Sequence, residues 1–149
     1  KITMNQKNQI CQKLLKTADD NRSIIPRIIV GLVFLSEGIQ KFLYPEIAGV
    51  GRFEKIGFEN AEFLAYFVAG FEIVCGALIL IGFLTRLAAI PLLTIMATAL
   101  ISTKIPILLN EGFWFMAHAA RTDFAMTMLL IFLLIYGAGK WSVDKKLRN

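Results

Sequence analysis

Six ionisable residues stand inside segments of the chain that are otherwise strongly apolar: Glu37, Lys41, Glu72, Lys104, Arg121 and Asp123. A charged side chain at the centre of a membrane helix costs about 2.5–3.5 kcal/mol on insertion scales, so such a residue normally faces a partner or a polar cavity. Three of the six are acids and three are bases, so their charges can balance. Residues of this kind exchange protons or bind polar ligands, but they also form ion pairs that set the register of packed helices. The sequence leaves both interpretations open.

The spacing of these residues predicts which of them lie together. Glu37 and Lys41 are four residues apart, so they share one face of a helix. That face also carries Arg27, Gly31, Phe34 and Gly38. Small residues recur at helical spacing around Glu72, namely Ala65, Ala69 and Gly76, and such residues let membrane helices approach closely. We therefore predict that the two stripes face each other or a common centre, and that Glu37, Lys41 and Glu72 are the catalytic candidates.

A second group lies at or near the outer ends of the third and fourth predicted helices and is predicted to bind a ligand: Lys104, His118, Arg121 and Asp123. Together with the first group it can form a polar pocket that opens towards the outer surface. No metal site is predicted, because His118 is the sole histidine and the methionines are scattered. No nucleotide-binding motif is present either. We expect Thr94, Thr98 and Ser102 to make hydrogen bonds between helices.

The elements that position these residues are predicted to be membrane helices. Hydrophobic residues make up 56% of the 149-residue chain, above the roughly 45–50% of soluble domains. Stretches of about 20 apolar residues, the length that crosses a bilayer, cover about 24–44, 63–84, 87–108 and 124–138, the last lengthened at its start by 119–123. The fold class is therefore all-α, a bundle of four transmembrane helices.

The remaining segments are assigned by their polarity. Residues 45–62 are polar and contain glycines, which predicts a loop. Residues 106–120 carry Phe113, Trp114 and Phe115, and such aromatics favour the membrane interface, so we predict a short interfacial helix between the third and fourth spans. The leader places Ile10, Leu14 and Leu15 at helical spacing among lysines, which permits either a short amphipathic helix or a flexible tail.

The distribution of charge predicts the orientation. The net charge is +5, and basic residues cluster before the first span and after the last. This pattern is typical of membrane proteins with positive cytoplasmic segments and not of nucleic-acid binding. We expect a cytoplasmic basic leader over 1–23, a membrane domain over 24–144 and a basic tail over 145–149, with both termini in the cytoplasm.

Four elements resemble the DoxX family of membrane proteins. They are Gly38-Ile39-Gln40-Lys41-Phe42 with the following Pro45, Glu72-Ile73-Val74-Cys75-Gly76, the turn around Thr85-Arg86, and the closing Gly137-Ala138-Gly139-Lys140-Trp141-Ser142-Val143-Asp144. They occur in order around the four predicted spans. Two positions depart from the family pattern. Ala138 stands where proline is frequent, and Asp123 stands where the last helix often begins with glutamate.

The resemblance implies a bundle in the bacterial inner membrane and a link to redox chemistry. The leading hypothesis is a quinone-interacting membrane subunit of an oxidoreductase or redox-stress system. Glu37 and Glu72 would exchange protons, Lys41 would stabilise negative charge on the headgroup, and Arg121 or His118 would steady the pocket. The chain carries no evident electron carrier, so a protein partner or a bound cofactor would supply electrons. The alternative is a non-enzymatic scaffold, assembly factor or small-solute carrier, and self-association is open in both cases.

Overall fold

The computed structural model describes residue 9, residues 16–18 and residues 21–148, apart from the side chain of Arg148. All regular structure in these residues is helical, as predicted. The helices are α1 (Ile24–Leu43), α2 (Val50–Ile56), α3 (Ala61–Ile81), α4 (Thr85–Ala99), α5 (Ile105–Glu111), α6 (Phe113–Tyr136) and α7 (Val143–Arg148). A π-helical segment, Leu100–Lys104, joins α4 to α5 without a break. The predicted amphipathic helix around Ile10, Leu14 and Leu15 lies outside the described residues.

Three helical stretches within the described part have the length and hydropathy of a membrane span. They are α3 with 21 residues, the continuous stretch Thr85–Glu111 with 27 and α6 with 24. Helix α1 has 20 residues, but Arg27, Glu37 and Lys41 fall within its apolar sequence. Length and composition therefore identify three candidate spans, and the predicted count of four is not confirmed by this criterion.

Helices α1 and α3 pack closely through their small residues. A Cβ atom on Gly31 would lie 3.0 Å from the carbonyl oxygen of Gly76, and one on Gly38 would lie 2.8 Å from the carbonyl oxygen of Ala69. These distances leave no room for a side chain, so the glycines permit the close approach of the two backbones. The prediction that the two stripes face each other is confirmed.

The bundle is packed at one end and hollow at the other. We call the end with the α3–α4 turn the turn end, and the opposite end, where α2 lies, the lid end. The hydrophobic core draws on α1, α3, α4 and α6 towards the turn end, with Val30, Ile79, Leu92, Leu130 and Leu133 fully buried. Because the core occupies the turn end, the ionisable residues near the lid end remain free to border open space.

Arg27 and Asp144 organise the turn end. The Arg27 guanidinium donates hydrogen bonds to the carbonyl oxygens of Leu80 (3.1 Å), Ala138 (2.9 Å) and Trp141 (2.6 Å). The Asp144 carboxylate accepts hydrogen bonds from the backbone N–H groups of Leu84 (2.7 Å) and Thr85 (3.1 Å). It thus caps the first turn of α4, whose N–H groups have no partner within the helix. The closing segment therefore ties the last span to α1 and to the α3–α4 turn.

Three local predictions are wrong. The segment 106–120 is not a separate interfacial helix: it divides at Gly112 between the end of α5 and the first turns of α6. Its aromatic residues are compatible with a helix, so the helical structure is interrupted at Gly112 and not at the aromatic residues. Residues 45–62 contain helix α2, whose Val50, Phe53 and Ile56 recur at helical spacing. The hydroxyl groups of Thr94, Thr98 and Ser102 bond within their own helical stretch, as described below, and not between helices.

Candidate functional site

A cavity of about 390 Å³ opens at the lid end, between the four long helical segments. Each segment contributes to its wall, and α2 with the turn after it contributes Arg52, Phe53, Ile56 and Phe58. The walls are largely apolar, with a few charged and hydroxyl groups. This combination is typical of small-molecule sites, whose volumes run from about 300 to 1,000 Å³.

The charged centre of the cavity is formed by Glu37, Lys41 and Glu72. The Lys41 Nζ atom donates a hydrogen bond of 2.7 Å to Oε2 of Glu72, and it lies 3.8 Å from Oε2 of Glu37. Helix α1 supplies the first two residues from one face, and the close α1–α3 packing brings Glu72 to them. The three predicted catalytic residues are therefore adjacent, although their roles stay a prediction.

The two carboxylates of this cluster differ in their surroundings. The side chains of Lys41 and Glu72 are 7% and 6% exposed, whereas that of Glu37 is 46% exposed. Glu72 therefore depends on Lys41 for compensation of its buried charge. Glu37 has no hydrogen bond to Lys41 at 3.8 Å, so its carboxylate remains available to a ligand or to solvent.

A second ion pair borders the cavity from α6. The Lys104 Nζ atom lies 3.0 Å from Oδ2 of Asp123, and Asp123 lines the cavity while Lys104 stands behind it. Asp123 therefore presents a carboxylate to the same space as Glu37. Of the four predicted ligand-binding residues, Asp123 therefore lines the cavity, and Lys104 is next to it as the partner of its ion pair.

The other two predicted ligand-binding residues do not reach the cavity. Arg121 donates a hydrogen bond of 2.7 Å to the backbone carbonyl of His118, and both side chains are exposed on the outer surface of α6. Arg121 and Asp123 are two positions apart, so on a helix their side chains point about 160–200° apart. The structure does not bring His118 or Arg121 together with Glu37, Lys41 and Glu72.

Four hydroxyl groups line the α4 side of the cavity: Thr94, Thr98, Ser102 and Thr103. Each hydroxyl donates to the carbonyl oxygen four residues earlier, at 3.2, 2.9, 2.7 and 2.6 Å respectively. Hydrogen bonds of this kind often bend a helix. The π-helical segment begins within this run, at Leu100, and π-helical turns frequently occur at functional sites.

The contribution of α2 was missed at the sequence level, where 45–62 was interpreted as a polar loop. Arg52 places a second cation at the cavity wall, and Phe53, Ile56 and Phe58 extend its apolar surface. The signal was present in the spacing of Val50, Phe53 and Ile56, which describes an amphipathic turn. The glycines on both sides of this stretch obscured it, because they are typical of loops.

The cavity can bind a partly polar ligand and can hold protons near it. Lys41 and Arg52 offer hydrogen-bond donors, and Glu37 and Asp123 offer acceptors. Among the described residues, no group of three or more His, Cys, Asp or Glu side chains is placed to bind a metal ion. Cys75 is buried with a free thiol and belongs to the core. The site chemistry therefore depends on carboxylates, cations and hydroxyl groups.

Comparison with known proteins places the chain among membrane proteins. The sequence profile of the DoxX family matches residues 23–105, which is more than half of the chain. An uncharacterised membrane protein of Mycobacterium tuberculosis is 52% identical over 141 residues, covering 91% of this chain and 86% of the relative. CatD of Bacillus subtilis, provisionally named an oxidoreductase, is 27% identical over 107 residues, covering 70% of this chain and 78% of the relative. No solved structure matches the chain. This chain therefore belongs to the DoxX family.

Proposed function

We propose that this protein is a membrane subunit of an oxidoreductase system and that its lid-end cavity binds the headgroup of a quinone. The observation that carries the proposal is the meeting of Glu37, Lys41 and Glu72 at one largely apolar cavity. The similarity to CatD, whose name describes an oxidoreductase, supports the same class of function. A quinone, when bound, would supply the capacity to take up and release electrons together with protons.

The residues of the cavity suit a flat headgroup with oxygen atoms at its edge. Apolar side chains from several helices, among them Phe34, Phe53 and Met126, can cover the faces of a ring. Polar groups stand at few positions, so they can orient its oxygens. The volume of about 390 Å³ lies in the lower part of the range for ligand sites, which favours a headgroup over a whole long-chain molecule.

Within this site, Lys41 and the two carboxylates have different tasks. The Lys41 ammonium has three N–H donors, and Glu72 accepts one of them, so Lys41 can also donate to a ligand oxygen. Glu37 borders the cavity with a half-exposed side chain and can exchange protons with the outer solution. Glu72 holds Lys41 in place through its hydrogen bond and is the more deeply buried proton acceptor of the site. In this proposal a protein partner or a bound cofactor supplies the electrons.

The proposed subunit crosses the bacterial inner membrane four times, with α1 as the additional span. Arg27 is buried at the turn end, and Glu37 and Lys41 face the cavity, so none of the three charges of α1 needs to contact lipid. Positive residues concentrate at the turn end, which supports a cytoplasmic position for both termini. Cysteines introduced at Glu59 and Lys146 test this: an impermeant maleimide added to intact cells should label only position 59. Labelling at position 146 alone would show that the orientation is the opposite of the one proposed.

A direct binding experiment tests the site. The detergent-purified chain is titrated under anaerobic conditions with a decyl-substituted benzohydroquinone, whose O–H groups can donate to Glu37, in a calorimeter, alongside the variants Glu37→Gln and Glu62→Gln. Both variants remove one acid, but Glu62 is exposed at the start of α3 and does not line the cavity. We expect saturable binding that Glu37→Gln weakens about tenfold and Glu62→Gln leaves unchanged, since a hydrogen bond to a charged group contributes about 1.5–3 kcal/mol.

The alternative function predicts a different result. In a scaffold, assembly factor or small-solute carrier, the same ion pairs would serve helix packing or bind another solute. Absence of saturable hydroquinone binding, in a preparation that keeps its helical content and unfolding midpoint, would contradict the proposal. Equal weakening by Glu37→Gln and Glu62→Gln would place the binding elsewhere and would also contradict it.

A further inference from the structure

Four hydroxyl groups on α4 and the π-helical segment after it present mainly hydrogen-bond acceptors to the cavity. Thr94, Thr98, Ser102 and Thr103 lie in a row on its wall. A hydroxyl group has one donor hydrogen and two acceptor lone pairs. In all four residues the hydrogen is directed to a backbone carbonyl of the same helix. The lone pairs are what remains for a ligand.

This arrangement makes the row an acceptor surface. If one of these hydroxyls donated to a carbonyl oxygen of a ligand, it would first lose its bond to the helix, so no hydrogen bond would be gained. If it accepts from an O–H group of a ligand, the helix bond is kept and one bond is added. The second arrangement is better by about one hydrogen bond, which contributes roughly 0.5–1.5 kcal/mol net.

The carboxylates strengthen the same bias. Glu37 and Asp123 line the cavity and, when ionised, can only accept hydrogen bonds. Of the two cations at the cavity, Lys41 already donates one hydrogen bond to Glu72. The hydroxyl row and the two carboxylates therefore place acceptors on the α1, α4 and α6 sides of the cavity, while Arg52 places its donors on the α2 side. A ligand with hydroxyl donors matches this surface better than one with carbonyl oxygens alone.

We infer that the cavity binds the reduced, dihydroxy form of the headgroup more tightly than the oxidised, dicarbonyl form. This inference rests on the proposed function and specifies which redox form of the ligand the site favours. The oxidised form can only accept hydrogen bonds, so it uses Lys41 and Arg52 but leaves the hydroxyl row and Glu37 without a partner. The reduced form donates two hydrogen bonds and satisfies acceptors on both sides of the cavity.

Three probes of matched shape test the inference under anaerobic conditions. They are a decyl-substituted benzoquinone, the hydroquinone obtained by its reduction, and the dimethyl ether of that hydroquinone, which lacks both O–H groups. We expect the hydroquinone to bind about tenfold more tightly than the quinone or the ether, a factor that corresponds to about one net hydrogen bond. The same factor would raise the reduction potential of the bound pair by about 30 mV.

Variants connect the preference to the hydroxyl row. The double variant Thr98→Val, Ser102→Ala removes two acceptors from the cavity wall, whereas Thr127→Val removes a hydroxyl with the same bond to the carbonyl four residues earlier, on α6 and away from the cavity. We expect the double variant to lose most of the preference for the hydroquinone and Thr127→Val to keep it.

The outcomes separate this inference from the proposed function. Saturable binding of the quinone and the hydroquinone with equal affinity, or tighter binding of the quinone, would overturn the inference while the proposed site stands. A preference that survives in the double variant would also overturn it. Failure of the chain to bind any of the three probes would overturn the proposed function itself, and the inference with it.

Discussion

Replacement of Lys41 by methionine should destabilise the protein more than replacement of either of its acidic neighbours. The Lys41 Nζ atom lies 2.7 Å from the carboxylate of Glu72 and 3.8 Å from that of Glu37. The shorter contact is therefore with the buried Glu72. In Lys41→Met, both carboxylates remain without their cation, and Glu72 is 4% exposed. The variant therefore leaves a buried charge uncompensated.

The magnitudes follow from burial. Removing one partner of a buried ion pair costs about 3–5 kcal/mol, which is the expected loss for Lys41→Met. Glu72→Gln should cost less, about 1.5–3 kcal/mol, because Lys41 keeps Glu37 as a nearby acid and loses one charged hydrogen bond. Glu37→Gln removes a half-exposed contact and should cost about 0–1 kcal/mol. The double variant Lys41→Met, Glu72→Gln should be more stable than Lys41→Met alone, since no buried charge remains.

The assay is unfolding of the detergent-purified variants, followed by circular dichroism while a denaturing detergent is titrated. The midpoints should fall in the order wild type, Glu37→Gln, Glu72→Gln and Lys41→Met, with partial recovery in the double variant. The reasoning would be refuted if Lys41→Met unfolded at the same midpoint as Glu37→Gln. It would also be refuted if the double variant were less stable than Lys41→Met, because the two losses would then be independent.

Further predictions concern the packing and the turn end. Gly38→Ala should lower the unfolding midpoint by an amount that corresponds to about 1–3 kcal/mol, because its Cβ would lie 2.7 Å from Cγ1 of Ile73. Gly70→Ala, with no atom within 4 Å of its Cβ, should be neutral or stabilising by up to about 1 kcal/mol; equal losses would contradict the packing of α1 on α3. Asp144→Asn should cost about 1–3 kcal/mol by weakening the cap of α4, whereas the exposed control Glu111→Gln should cost little. Equal unfolding midpoints for Asp144→Asn and Glu111→Gln would show that the cap is unimportant.

The sequence predicted the long helices because their signal is local. The first predicted span, 24–44, agrees with α1 to within a residue, and the second and third differ from α3 and from the stretch Thr85–Glu111 by two or three residues at each end. The fourth was predicted to begin at 119–124, whereas α6 begins at Phe113. The stripes of small residues predicted the contact between α1 and α3, since each stripe follows helical spacing. The prediction that Lys41 and Glu72 lie close together follows from that contact, because each residue lies on the stripe of its own helix.

Features that depend on distant backbone groups could not be predicted in this way. The three carbonyl partners of Arg27 come from residues 53 to 114 positions away, and a backbone carbonyl has no signature in the sequence. The role of Asp144 as a cap for α4 is hidden for the same reason, although the closing motif was recognised as a resemblance. Hydroxyl spacing on α4 indicated a shared face, but not whether its hydrogen bonds lie within the helix or between helices.

The central claim is that the lid-end cavity holds a quinone headgroup, and a cavity-filling variant tests it most directly. Ala99 lines the cavity, whereas Ala97 is exposed on the same helix and does not line it. Ala99→Phe and Ala97→Phe therefore add the same volume inside and outside the proposed site. In calorimetric titration with the decyl-substituted benzoquinone, we predict that Ala99→Phe abolishes binding and Ala97→Phe retains the wild-type affinity. Unchanged binding in a folded Ala99→Phe variant would contradict the account.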